Sequence, residues 1–230
     1  MRNLAIIPAR GGSKRIPRKN IKAFCGKPII AYSIEAALKS DLFDEVMVST
    51  DDEEIAEVAI KYGAKVPFFR SSDNSNDYAT LVDVLLEVIN QYGVAGIEIE
   101  NICCILPTAP LISSKRIIES FDLMKDKKYA SIFPVLEYSY PIQRSLIKNS
   151  DGLIRMAWPE NSSVRSQDLE KHYHDSGQFY WIKQKSLLSE KTVFTKNTGV
   201  VELSQLEVQD IDTLDDWKMA EIKYRIINAS

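Results

Sequence analysis

Residues 4–20 read Leu4-Ala-Ile-Ile-Pro8-Ala-Arg10-Gly-Gly-Ser-Lys14-Arg-Ile-Pro-Arg18-Lys-Asn20. Leu4–Ile7 is a short apolar run halted by Pro8, the pattern of a buried parallel strand. A loop rich in glycine and cations follows directly. Ligands of open α/β sheets collect beyond the carboxyl ends of the strands, so such a loop after the first strand predicts a sheet with a binding site at its first turn.

The chain on either side fits that sheet. Pro28–Ser40 opens with proline and keeps apolar residues at helical spacing, which predicts a helix. Glu45–Thr50 predicts a strand whose Ser-Thr-Asp-Asp ending caps a helix over Glu53–Tyr62, closed by Gly63. Lys65–Phe69 predicts a third strand and Ala79–Tyr92 a third helix. Asn101–Leu106, apolar after its first residue, predicts a central strand. Ser113 or Ser114 caps a helix over Arg116–Lys125, and Ala130–Leu136 predicts a fifth strand. These alternations predict an α/β fold, a Rossmann-like three-layer sandwich with a mostly parallel central sheet. Beyond Tyr138 the short runs Leu146–Ile147, Leu153–Ala157, Phe179–Ile182 and Thr198–Glu202 predict an antiparallel excursion that leaves the sheet and returns. Thr213–Ile227 is amphipathic and predicts a closing helix.

The 230 residues are 45% hydrophobic and 27% charged, the profile of one large globular α/β domain or one domain with a small arm. Cys25, Cys103 and Cys104 show no metal-ligand spacing, which predicts reduced thiols rather than zinc or disulfides. The N-terminal apolar stretch is too short for a signal peptide and no run reaches membrane-spanning length, so no membrane partner and a cytoplasmic location are expected.

Arg10, Lys14, Arg15, Arg18, Lys19 and Lys22 stand in a segment with no acid. The net charge is −3, so setting those six cations aside leaves the rest of the chain at −9. A basic loop on an acidic body predicts one compact anion site rather than a nucleic-acid surface. The loop has neither the Walker nor the dinucleotide glycine pattern. Gly11 and Gly12 let backbone N–H groups approach an anion, Ser13 adds a donor, and Arg10, Lys14 and Lys19 can neutralise a polyphosphate.

Ile6–Asn20 resembles the signature of the CMP–acidic-sugar synthetases, the acylneuraminate cytidylyltransferase family. Val48-Ser-Thr-Asp51, Pro107-Thr-Ala-Pro110, Arg165-Ser-Gln-Asp-Leu169, Gly177-Gln-Phe-Tyr180 and Asp210-Ile-Asp-Thr213 follow in the family's order, across essentially the whole chain. The resemblance implies a nucleotide-diphospho-sugar transferase type of fold and a single domain over 1–230. It implies a nucleotidyltransferase that joins the CMP part of CTP to an acidic nine-carbon sugar and releases pyrophosphate. Leu106 ahead of Pro-Thr-Ala-Pro and the segment Asp175-Ser-Gly-Gln-Phe-Tyr-Trp181 depart from the sialic-acid enzymes, and Arg165-Ser-Gln-Asp-Leu169 with Tyr173–Trp181 resembles the pseudaminic acid branch, with N-acetylneuraminate or legionaminate as alternatives. A nucleotide-binding regulatory module without catalysis is the reading from a different class.

By the same resemblance, Ala9, Arg10, Gly11, Gly12, Ser13, Lys14, Lys19, Asn20, Arg70, Asp77 and Thr80 would bind the nucleotide. Gln143, Arg144, Arg165, Gln167, His174, Gln178 and Tyr180 would bind the sugar, with arginine matched to its carboxylate. Asp210 and Asp212 would share Mg²⁺ if strand-like alternation puts both on one side; helix capping is the competing role for the pair. Arg10, Lys14, Lys19 and Asp212 would carry the catalysis. A homodimer is implied, with 140–176 as a protruding arm.

Overall fold

A computed structural model describes residues 2–229. Its elements are β1 (Asn3–Pro8), β2 (Ala23–Phe24), β3 (Lys27–Pro28), α1 (Ile29–Ser40), β4 (Glu45–Ser49), α2 (Glu53–Lys61), α3 (Leu81–Val94), β5 (Asn101–Ile105), α4 (Ser114–Asp126), β6 (Ser131–Glu137), β7 (Leu146–Lys148), β8 (Ile154–Met156), β9 (Tyr173–Asp175), β10 (Phe179–Lys183), α5 (Gln184–Glu190), β11 (Thr198–Glu202) and α6 (Leu214–Asn228). Strand side chains alternate between two faces, and each face builds its own core. Ala5, Ile7, Val48, Cys103 and Trp181 pack with Ile34 of α1, Ile55 of α2 and Phe121 of α4. Leu4, Ile6, Met47, Cys104 and Tyr180 face the other way, against Leu85, Val88 and Tyr92 of α3. The adjacent thiols Cys103 and Cys104 therefore belong to opposite cores, both reduced and buried.

The strand order is β11-β6-β10-β5-β1-β4, with β9 also on β6. β1 pairs in parallel with β4 and β5, and β11 with β6, whereas β10 and β9 run antiparallel to their neighbours. The sheet is thus mixed, with the returning excursion threaded into its middle rather than along an edge. β9 and β10 lie against the same edge of β6, interrupted at residues 176–178, where Gly177 takes φ +64°. That left-handed conformation favours glycine.

Lys65–Phe69 is not a strand. Lys65 exchanges hydrogen bonds with Val46 and Val48 at 2.9 and 2.8 Å, forming a single bridge beside β4. Pro67 then brings no N–H to extend the ladder. The caps follow the sequence more closely: Asp52 caps α2, Ser113 caps α4, and Thr80 and Thr213 make capping boxes with Asp83 and Asp216.

A third cluster joins the chain's two ends. Ile16, Phe24, Ile29, Tyr32, Ile211, Trp217 and Ala220 are buried together. Phe24 meets Tyr32, Trp217 and Tyr224 edge-on, with ring centroids 5.4–5.7 Å apart, a favourable aromatic geometry. Replacing Trp217, 5% exposed, with alanine is expected to lower stability by about 3–5 kcal/mol in urea unfolding.

Candidate active site

β1 lies where the chain turns back through the sheet, between β4 and β5. A crevice opens beyond the carboxyl ends at such a reversal. There a cavity of about 510 Å³ is lined by Pro8, Arg10, Ser13, Lys14, Arg15, Lys19 and Asn20 from the loop after β1. Arg70, Asn74, Asn76, Asp77, Ala79 and Thr80 line it from the segment before α3, with Leu81 and Val84 on the helix and Leu106, Pro107 and Thr108 after β5.

Eight of the expected nucleotide residues are gathered here: Arg10, Ser13, Lys14, Lys19, Asn20, Arg70, Asp77 and Thr80. Ala9, Gly11 and Gly12 shape the loop behind them. Ala9 is fully buried and its N–H donates to Ser49 at 2.9 Å. The Gly11 N–H donates to Asp51 Oδ1 at 3.0 Å, and a Cβ on Gly11 would lie 2.5 Å from Asp52 Oδ2. A side chain at Gly11 would displace the Asp52 carboxylate, whereas Gly12 faces open space. Asn20 is buried and donates to the Arg10 carbonyl at 2.9 Å, bracing the loop.

Five of the six cations that lack an acid in their own segment find acids in three others, and Lys22 lies over the Trp217 ring instead. Asp77 bridges Arg10 and Lys14, Asp212 pairs with Arg15 at 2.6 Å and lies 3.9 Å from Lys19, and Arg18 pairs with Asp52 and Glu54. Lys19 also donates to the Ile211 carbonyl at 2.6 Å. Burial pulls its ammonium below the ordinary lysine value, opposed by Asp212. Arg70 is likewise buried, and its guanidinium donates to Ser49 Oγ at 3.0 Å and to the Ser49 carbonyl.

Asp210 is exposed and Asp212 half-buried on either side of Ile211, which is 1% exposed. The cap of α6 is made by Thr213 and Asp216, with the Asp212 N–H donating to Asp216 at 3.1 Å, so neither carboxylate is committed to capping. Among the described residues no three His, Cys, Asp or Glu side chains converge on a metal position. Two carboxylates completed by substrate phosphate oxygens are a donor set that suits Mg²⁺.

None of the seven expected sugar residues lines the cavity. Gln143 donates to the Glu170 carbonyl at 2.8 Å and meets His172 Nδ1 at 2.9 Å, while its Oε1 is buried without a partner. Arg144 donates to the Val164 carbonyl, and Arg165 pairs with Asp168 at 2.7 Å. Gln167 lines a separate 110 Å³ hollow with Tyr138 and His172. His174 lies against Tyr138, centroids 4.9 Å apart. Gln178 and Tyr180 are buried, donating to the Glu207 carbonyl and to Asp175 Oδ2 at 2.6 Å. The lining residues missed from sequence, Asn74, Asn76, Leu81 and Val84, carry no motif of their own; Asn74 and Asn76 are ordinary loop residues and Leu81 and Val84 read as helix core.

The family model described as cytidylyltransferase matches residues 4–222. The chain belongs to the cytidylyltransferase family. It is 44% identical over 230 residues to a pseudaminic acid cytidylyltransferase of Campylobacter jejuni, covering 100% of this chain and 99% of that one. To a CMP-N,N'-diacetyllegionaminic acid synthase of Legionella pneumophila it is 32% identical, covering 96% and 95%. The solved CMP:2-keto-3-deoxy-manno-octonic acid synthetase complexed with CTP superposes with a TM-score of 0.69 at 18% identity, covering 100% of both chains, which speaks to the fold alone. The enzyme is thus a nucleotidyltransferase of α/β architecture. No helix among the described residues is long and apolar enough to cross a membrane.

Glu207 ties the sheet to α4: its carboxylate takes bonds from Arg116 at 2.8 and 3.1 Å and from the Ser204 N–H and hydroxyl at 2.9 and 2.8 Å. Those bonds, Arg116 first, hold its pKa down to about 2, against an ordinary 4.5. A carboxylate depressed in the folded state stabilises it fully above the unfolded value and loses that effect as pH falls towards the folded one. The stability difference between wild type and Glu207→Gln is expected to be constant above pH 5 and to shrink between about pH 4.5 and 2, read by urea unfolding across pH.

Proposed function

We propose that this enzyme transfers CMP from CTP to the anomeric hydroxyl of pseudaminic acid. The observation that carries the reading is the full-length 44% identity to the Campylobacter enzyme of that name, on a chain whose main cavity joins a cationic loop to a partly apolar wall. The sugar oxygen attacks the α-phosphorus in line, the bond to the β-phosphate breaks, and pyrophosphate leaves. Chemistry of this kind asks the protein mainly for positioning and charge neutralisation. Arg10, Ser13, Lys14 and Lys19 hold the triphosphate, with Asn20 bracing their loop. Arg70, Asp77 and Thr80 hold the nucleoside. Asp210 and Asp212 would hold Mg²⁺, which when bound would offset the charge developing on the phosphate oxygens.

The sugar set lies mostly on the 140–176 arm, clear of its own chain's cavity. The arm's β7–β8 ribbon pairs with no other strand among the described residues, and Tyr140, Leu146, Leu153 and Ile154 of the arm are 60–84% exposed. This supports a homodimer in which each arm completes the partner's sugar site. Sedimentation is expected to give twice the 26.1 kDa chain mass.

Pyrophosphate release with CTP and Mg²⁺ is expected with pseudaminic acid well ahead of legionaminic or N-acetylneuraminic acid. Preference for either of the latter would overturn the sugar assignment and leave the transfer standing. Asp212→Asn is expected to lower kcat by at least about 100-fold, as loss of transition-state charge stabilisation does, while CTP binding without Mg²⁺ is retained.

A further inference from the structure

Apart from Arg70, the cationic lining of the main cavity comes from the loop after β1, whereas Ala79, Leu81, Val84 and Leu106 give it an apolar wall on the side of α3 and β5. Flat bases are held by apolar walls with a few fixed polar groups to read their edge. Asn74 and Asn76 are the two side-chain amides in this part of the lining. Asn76 is engaged at both ends: Nδ2 donates to the Asp73 carbonyl at 2.6 Å, and Oδ1 accepts from the N–H groups of Tyr78 and Ala79 at 2.8 and 3.0 Å. Asn74 is engaged at one end, its Nδ2 donating to Glu87 Oε2 at 2.5 Å.

Glu87 sits on α3 three residues beyond Val84, and Ser71 fixes both of its oxygens. The Ser71 N–H donates to Oε1 at 2.8 Å and the hydroxyl to Oε2 at 3.1 Å. A carboxylate has only acceptors to offer. The Asn74 nitrogen must therefore face Glu87, and the carbonyl Oδ1 is the end left for the cavity.

We propose that Glu87 orients the Asn74 amide so that its carbonyl accepts from the 4-amino group of cytosine and opposes the 4-oxo group of uracil. Asn74 is then a base-reading residue and Glu87 the positioning residue behind it. This rests on the CMP-transfer reading, since it presumes that the cavity takes a cytidine nucleotide. A site built to hydrogen-bond a substrate N–H rejects an analogue without it, because a buried polar group is left unpaired.

Glu87→Gln reverses the logic. With Gln Oε1 still accepting from the Ser71 N–H, its amide nitrogen faces Asn74, whose amide must turn and aim Nδ2, a donor, into the cavity. The experiment is calorimetric binding of CTP and of UTP to wild type, Glu87→Gln and Asn74→Ala, with thermal unfolding to confirm that each is folded. Wild type is expected to favour CTP. The CTP/UTP ratio is expected to fall at least about tenfold in both variants, with UTP binding gained in Glu87→Gln and not in Asn74→Ala. General loosening of the segment weakens both nucleotides alike; an unchanged ratio in both folded variants overturns the inference and leaves the transfer reading intact. Should Glu87→Gln not fold, the ratio in Asn74→Ala alone decides. A wild type that binds neither triphosphate would overturn the transfer reading, and this inference with it.

Discussion

Burial of Ile16 and Ile211 in one apolar cluster is the constraint on which the rest of the site depends. Each is 1% exposed, and each is the apolar residue of a strongly charged neighbourhood: Ile16 between Arg15 and the Pro17–Arg18 turn, Ile211 between Asp210 and Asp212. Driving both side chains inward leaves flanking charges nearer the surface, where Arg15 meets Asp212. The aromatic group around Phe24, Tyr32 and Trp217 gives these isoleucines something to bury against, since neither segment has a strand or helix of its own in the main sheet. Hydrophobic burial, which has no direction, thereby fixes the relative position of groups whose chemistry is strongly directional.

The ion pairs over this foundation act on geometry more than on stability. Exposed pairs contribute about 0–1 kcal/mol each, and Arg15 and Lys14 keep side-chain exposures of 68% and 78%. Asp77 and Asp212 instead hold flexible cations near one place. Arg116 with Glu207 is more enclosed and does belong to the framework, joining α4 to the segment that leads to the acidic pair.

The sequence made local order legible and left distant pairing hidden. Apolar runs and Ser, Thr and Asp caps located β1, β4, β5, β6, α2 and α4 closely, because strand burial and capping are decided within a few residues. Lys65–Phe69 looked like a strand by composition, and one proline removed the donor that would have extended it. That β10 would insert between β5 and β6 has no local signature, since it depends on which edges remain open when the chain returns. In the loop after β1 the residue types were readable, and eight of the residues named there and around Arg70 to Thr80 line one cavity. Their partners were not readable: Asp77 lies 63 residues from Lys14, and Ile211 lies 192 from Lys19. The sugar set was expected from motif similarity alone, and motif similarity carries no information about which cavity a side chain faces.

The insertion of β10 has a consequence for how the molecule comes into being. The N-terminal strands β4, β1 and β5 form one half-sheet, and β6 with β11 forms another, yet no hydrogen bond joins β5 to β6. Phe179–Lys183 is the seam, bonded to β5 along one edge and to β6 along the other. Until residues 179–183 are in place, β5 and β6 each keep an open, apolar strand edge of the kind that templates aggregation. One five-residue strand, reached only after β5 and β6 in the chain, is what makes the two halves a single sheet.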